Sequence, residues 1–169
     1  MLTLLKGESQ GLTVIPRWPS SKVLIEKIVF LKLIEAQSNL PSSIQLLLVR
    51  GYENKKSHLG FFRLLSRWLG IKLFCACYPG RKGEISEIFG SNGHDVDGSH
   101  VDVSIVLNGK RLRFLPFGVF TSLSRQKLRV EEHLIVIEKV KSALRQSGFE
   151  IHRNQTESMQ IHCDYKEQL

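Results

Sequence analysis

The chain has 169 residues, a length that suits one domain with a sizeable core, since a domain of about 150 residues hides roughly two-thirds of its unfolded surface. No apolar run reaches the roughly 18 residues of a membrane span, and the start MLTLLKGESQ lacks the apolar stretch and cleavage site of a secretory signal, so a cytoplasmic protein is expected. The net charge of +8 raises nucleic acid as a partner, but the basic residues before Lys82 are dispersed among apolar ones without the pattern of a nucleic-acid reader, which makes that partner the least favoured.

Residues 1–19 contain Pro16 and Pro19, show no sustained period and read as an arm or short edge strand, leaving 20–169 as a single domain. Ser20 or Ser21 can cap a helix carrying Leu24, Ile25, Ile28, Leu31 and Ile34 at the 3.6 repeat, ending near Ser38 to Pro41. Ile44 to Val49, bounded by Pro41 and Gly51, suits a buried strand, with Arg50, Gly51 and Tyr52 where it leaves the sheet. A second helix is predicted over Leu59 to Leu69 and a strand over Lys72 to Cys77. The odd cysteine count, and the Cys75 and Cys77 pair pointing the same way from a strand, predict reduced thiols.

Gly80 to Gly98 is glycine-rich and polar, as functional loops often are. It leads into the run Val101 to Leu107, then Asn108-Gly109, then Arg111 to Phe114, a strong hairpin signal. A helix is predicted from about Val130 to Gln146, with Val130, Leu134, Ile137, Val140 and Leu144 on its apolar stripe and Gly148 ending it. Phe149 to Arg153 and Met159 to Asp164 read as closing strands. The order predicts an α+β domain with helices packed on a largely antiparallel sheet.

Metal-type ligands concentrate in three places: His94 to Asp102, His162-Cys163-Asp164, and His152. Zinc takes imidazole nitrogen and carboxylate oxygen, and a catalytic site leaves a fourth position open. On a strand from Val101, the residues His100, Asp102 and Ser104 share one face while Val101, Val103 and Ile105 share the other. The same residues also suit a hydrogen-bonded histidine and a solvated Asp-Gly turn. A calcium loop is a third option, although the closing Glu of an EF-hand is missing.

The segment His94 to Ile105, with Ile161-His162-Cys163 near the end, resembles the zinc site of the D-alanyl-D-alanine dipeptidase and carboxypeptidase superfamily, to which the hedgehog amino-terminal domain belongs. Phe117-Gly118-Val119-Phe120 and Ser147-Gly148-Phe149 extend the likeness, which spans roughly 44–165. In that superfamily His-x-x-Gly-x-x-x-Asp supplies two ligands and a last-strand His the third. The resemblance therefore implies zinc held by His94, Asp102 and His162, and a hedgehog/D-Ala-D-Ala peptidase-like fold.

The sequence departs from the pattern at several points. His94 lies one residue too far from Gly98, so Asp95 is in register and either residue can bind the metal, while His100 stands where a small residue is usual and can line the site or replace His94 as a ligand. The family's Glu, three residues before the last His, is Met159 here. Glu157, of the same strand parity, becomes the candidate general base. The family's Arg after Gly-Tyr is Glu53, leaving Arg50, before that pair, as the candidate cation. The resemblance implies a zinc peptidase acting on a short peptide such as D-Ala-D-Ala or another cell-wall-type peptide. The alternative readings are an inactive zinc-containing binding domain and a basic nucleic-acid-binding protein.

Overall fold

A computed structural model describes residues 1–52, 58–85, 89, 98–113, 120–152 and 160–166. In chain order the elements are β1 (Leu2–Leu5), β2 (Gly7–Ser9), β3 (Leu12–Val14), β4 (Lys22–Ile25), α1 (Lys27–Ser38), β5 (Ile44–Arg50), α2 (His58–Cys77) and a 3-10 turn (Pro79–Glu84). They continue with β6 (His100–Leu107), β7 (Lys110–Arg111), α3 (Leu123–Gln146), β8 (Phe149–Ile151) and β9 (Ile161–Tyr165).

The main sheet runs β2-β3-β5-β6-β9-β8, with β7 hairpinned onto β6, while β1 and β4 form a separate pair. Among the described residues only β3 and β5 pair in parallel, so the sheet is mixed and largely antiparallel, and the class is α+β. The hairpin sits at Asn108-Gly109, whose φ values of 50° and 75° are the positive angles that a two-residue primed turn requires. Helices α1 and α3 pack together against the sheet. The core joins Val29 and Leu33 of α1, Ile137, Val140 and Leu144 of α3, and Leu46, Leu48, Val101, Val103 and Ile105 of β5 and β6. Each fully buried leucine here contributes about 1.5–3 kcal/mol before the ordering cost.

Several elements differ from the sequence reading. Residues 1–19, read as an arm or short edge strand, hold three short strands: β2 is the edge of the main sheet, β3 pairs with β5, and Leu4, Leu12 and Val14 are buried in the core. Strands of three or four residues are too short to show a period, which is why the sequence hides them. The segment 22–25 is a strand, not the first turn of a helix, and α1 buries Val29, Phe30, Leu33 and Ala36 while Ile28 and Leu31 face outward. A segment apolar at six of the seven positions 28–34 offers several competing stripes, so periodicity cannot choose among them. The helix at 59–69 and the strand at 72–77 are one continuous helix, with Cys75 half-buried, Cys77 exposed and all three thiols free. Helix α3 starts at Leu123, ahead of the predicted Val130, because its polar first turns carry no apolar stripe. Among the described residues no helix is long and apolar enough to cross a membrane.

Gly51 follows β5 where the chain passes β4. A β-carbon there would collide with the Leu24 carbonyl oxygen and Ile25 Cγ2, and Tyr52 N–H donates to that same carbonyl at 2.7 Å. Backbone cannot yield as a flexible side chain does. Gly51→Ala is therefore expected to destabilise the protein by about 2 kcal/mol or more, read as a lower urea midpoint with unchanged slope. An unchanged midpoint would contradict the close approach.

Candidate metal centre

The site is written into the pairing of β5, β6, β9 and β8. Asp102 stands directly opposite His162, and His100 opposite Asp164. Alternation along each strand sends these four to one face, while Val101, Val103 and Cys163 point into the core on the other. His152, just past β8, donates its backbone N–H to the His162 carbonyl at 2.9 Å and so extends the same register.

A bulge in β5 completes the row. Leu48 pairs with Val103, so an undistorted register would bring Val49 opposite Asp102, yet it is Arg50 that pairs there. The extra residue exchanges a valine for a cation, as bulges near functional sites often re-aim a side chain.

Asp102 is the centre of the cluster and is wholly buried. Its Oδ1 lies 2.6 Å from His162 Nδ1 and 3.1 Å from His100 Nε2. Its Oδ2 is buried without a hydrogen-bond partner among the described residues. Burial alone pushes the carboxyl pKa up, but the hydrogen bonds from His100 and His162 and the charges of His162 and Arg50 outweigh it and hold the group well below the ordinary carboxylate range.

Around His100 a second layer forms. Its Nδ1 lies 2.7 Å from Asp164 Oδ1, and Asp164 Oδ2 lies 2.8 Å from His152 Nε2. Burial raises the Asp164 pKa, and the bonds from His100 and His152 more than reverse that. A His100 ring that donates to both carboxylates carries two protons, and binding a cation through Nε2 replaces one of them. The Nδ1–H held by Asp164 then has the form of the carboxylate–histidine support common behind metal ligands.

Among the described residues, two groups offer donor atoms all within 4.8 Å of one another: His100, Asp102 and His162, and His100, His152 and Asp164. Cys163 is not part of either group. It is buried on the core side with Sγ 3.8 Å from the Val101 carbonyl, and burial together with the charges of Asp102 and Asp164 pushes its thiol pKa well up. A thiol that stays protonated is a poor ligand.

Of the residues singled out in the sequence, the structure brings Asp102, His162, Arg50 and His100 together. His94 and Glu157 lie outside the described residues, as do Asp95, Glu53 and Met159. Asp164 and His152 had no assigned role in the sequence reading. The signal for Asp164 was the repeated spacing His100-x-Asp102 and His162-x-Asp164, which puts both members of each pair on one face of adjacent antiparallel strands.

In comparisons with protein-family models, curated proteins and solved structures, nothing matches the chain. Fold and site together define an α+β protein with a buried His–Asp cluster of metal-ligand chemistry.

Proposed function

We propose that the chain is a zinc-dependent hydrolase of short peptides, a divergent relative of the D-alanyl-D-alanine dipeptidases and carboxypeptidases. The observation that carries this reading is Asp102, wholly buried, with one oxygen shared by two imidazoles and the other unpaired among the described residues. An unpaired buried acceptor costs about 1–3 kcal/mol, which a cation at the cluster offsets. Two imidazoles and a carboxylate are a zinc donor set with room for a fourth ligand, so the residues fit the metal. His100, Asp102 and His162 would hold it, with His94 as the family-type alternative to His100.

Zinc held there supplies Lewis acidity toward a peptide carbonyl and makes water a better nucleophile at neutral pH. The chain's own residues supply the rest. Asp164 fixes the orientation of the His100 ring. Arg50, paired with Asp102 across the strands, opposes negative charge on a carbonyl oxygen or grips a substrate carboxylate. Glu157 takes the proton from water and returns it to the leaving amine.

Protein purified without added metal should carry near-stoichiometric zinc and cleave D-Ala-D-Ala or a related dipeptide, with cleavage abolished in Glu157→Gln. Zinc without cleavage would favour the inactive binding domain, a reading consistent with Met159 standing where the family has Glu. Absence of zinc, with stability indifferent to chelation, would remove both.

A further inference from the structure

Helix α2 is built inside out. Phe61, Leu64, Leu65, Trp68, Leu69 and Leu73 are all exposed, several by more than half, and Trp18 stacks edge-on against the exposed Phe62 at 5.3 Å. At about 100° per residue these positions fill roughly half the helix circumference as one continuous arc. The opposite side faces the protein, with Arg67 and Gly70 half-buried and Phe74 wholly buried. A β-carbon at Gly70 would lie 3.0 Å from the Phe89 ring, so this side is the packed one. Monomeric proteins rarely show water so large a contiguous apolar surface.

The charge of the helix indicates what covers it. Its 20 residues contain no Asp or Glu, while Arg63, Arg67 and Lys72 are basic, and Lys72 lies on the apolar arc with Nζ 5.8 Å from the Trp68 ring centre. Pairing two copies of this face would bring together two chains of net charge +8, with no acidic residue on either helix to offset Lys72. An anionic bilayer surface provides both an apolar layer for the leucines and negative headgroups for Lys72. Tryptophan beside lysine suits the interface between them, where aromatic rings lie at headgroup depth and lysine reaches outward. The helix is not apolar enough to span, so the favourable position is in the plane of the surface.

We propose that α2, with Trp18, is a membrane-surface docking element for anionic lipid. This inference is independent of the metal reading.

Both tryptophans of the chain, Trp18 and Trp68, lie on this surface, so intrinsic fluorescence reports it directly. The full chain, mixed with vesicles of equal parts phosphatidylcholine and phosphatidylglycerol, should co-sediment and shift its tryptophan emission to the blue. Neutral phosphatidylcholine vesicles should bind much more weakly, and added salt should weaken the anionic binding. Leu65→Ser and Leu69→Ser, at exposed sites that leave the fold intact by circular dichroism, should each lower partitioning about tenfold. Lys72→Glu should lower it about thirtyfold on the anionic vesicles alone. Absence of binding and blue shift with anionic vesicles would overturn the proposal. So would equal binding to neutral vesicles, or a lipid-free dimer that Leu65→Ser dissociates.

Discussion

Asp102→Ala is expected to abolish tight zinc binding and to cost the metal-free protein about 3–5 kcal/mol, the usual penalty for breaking a buried charged pair. The reason lies in the geometry. One wholly buried carboxylate holds His162 across the strand pair at 2.6 Å and His100 on its own strand at 3.1 Å, so its loss removes a ligand and the partner of two others together. His100→Ala should also lose the metal while leaving β6 paired. Asp164→Asn should retain zinc but bind it about 10–100-fold less tightly, because the amide still touches the ring without fixing its tautomer through a charged acceptor. Chelator competition gives the affinities, and urea unfolding of metal-free protein gives the stability. Near-normal zinc binding by Asp102→Ala would remove this cluster as the metal centre. Loss of zinc in His94→Ala, with His100→Ala unaffected, would make His94 the first ligand in place of His100.

The sequence was most informative where one face of a strand is buried. Alternation around Asp102 separated His100, Asp102 and Ser104 from Val101, Val103 and Ile105, and the structure keeps that division because a one-residue slip would send the valines to the wrong face. Asn108-Gly109 located the hairpin because few other residues adopt two consecutive positive φ angles. Ile44 to Val49 became β5, since proline and glycine bound it on both sides.

Where apolar residues run nearly all round, the pattern lost its power. In α1 the buried stripe is Val29, Phe30, Leu33 and Ala36, and the outward Ile28 and Leu31 look equally suited to a core when only the sequence is read. In α2 the apolar arc faces water, the reverse of the usual assumption, so Lys72 to Cys77 imitated a strand. The site shows a similar split. Asp102 and His162 stand out by residue type, whereas the His152–Asp164–His100 line depends on which residues pair across strands. The approach of Arg50 to Asp102 depends on a bulge, a single extra residue that no composition signals.

Acid should unfold this protein with unusual steepness, and the same two carboxylates set the direction. Asp102 and Asp164 are both held below the ordinary carboxylate value despite burial, because His100 hydrogen-bonds to both of them, His162 to Asp102 and His152 to Asp164. A depressed folded pKa means that the unfolded chain takes up protons more readily as pH falls. The stability these groups supply is therefore fully present above the unfolded value of about 3.9 and drains away below it, toward the folded value. Unfolding temperature in metal-free protein should accordingly drop sharply as pH falls from about 5 toward 3. In Asp102→Asn the starting stability should be lower and the acid limb shallower, since one titrating partner has gone. An acid limb equally steep in wild type and Asp102→Asn would show that repulsion among the basic surface charges, and not this buried pair of carboxylates, drives the unfolding.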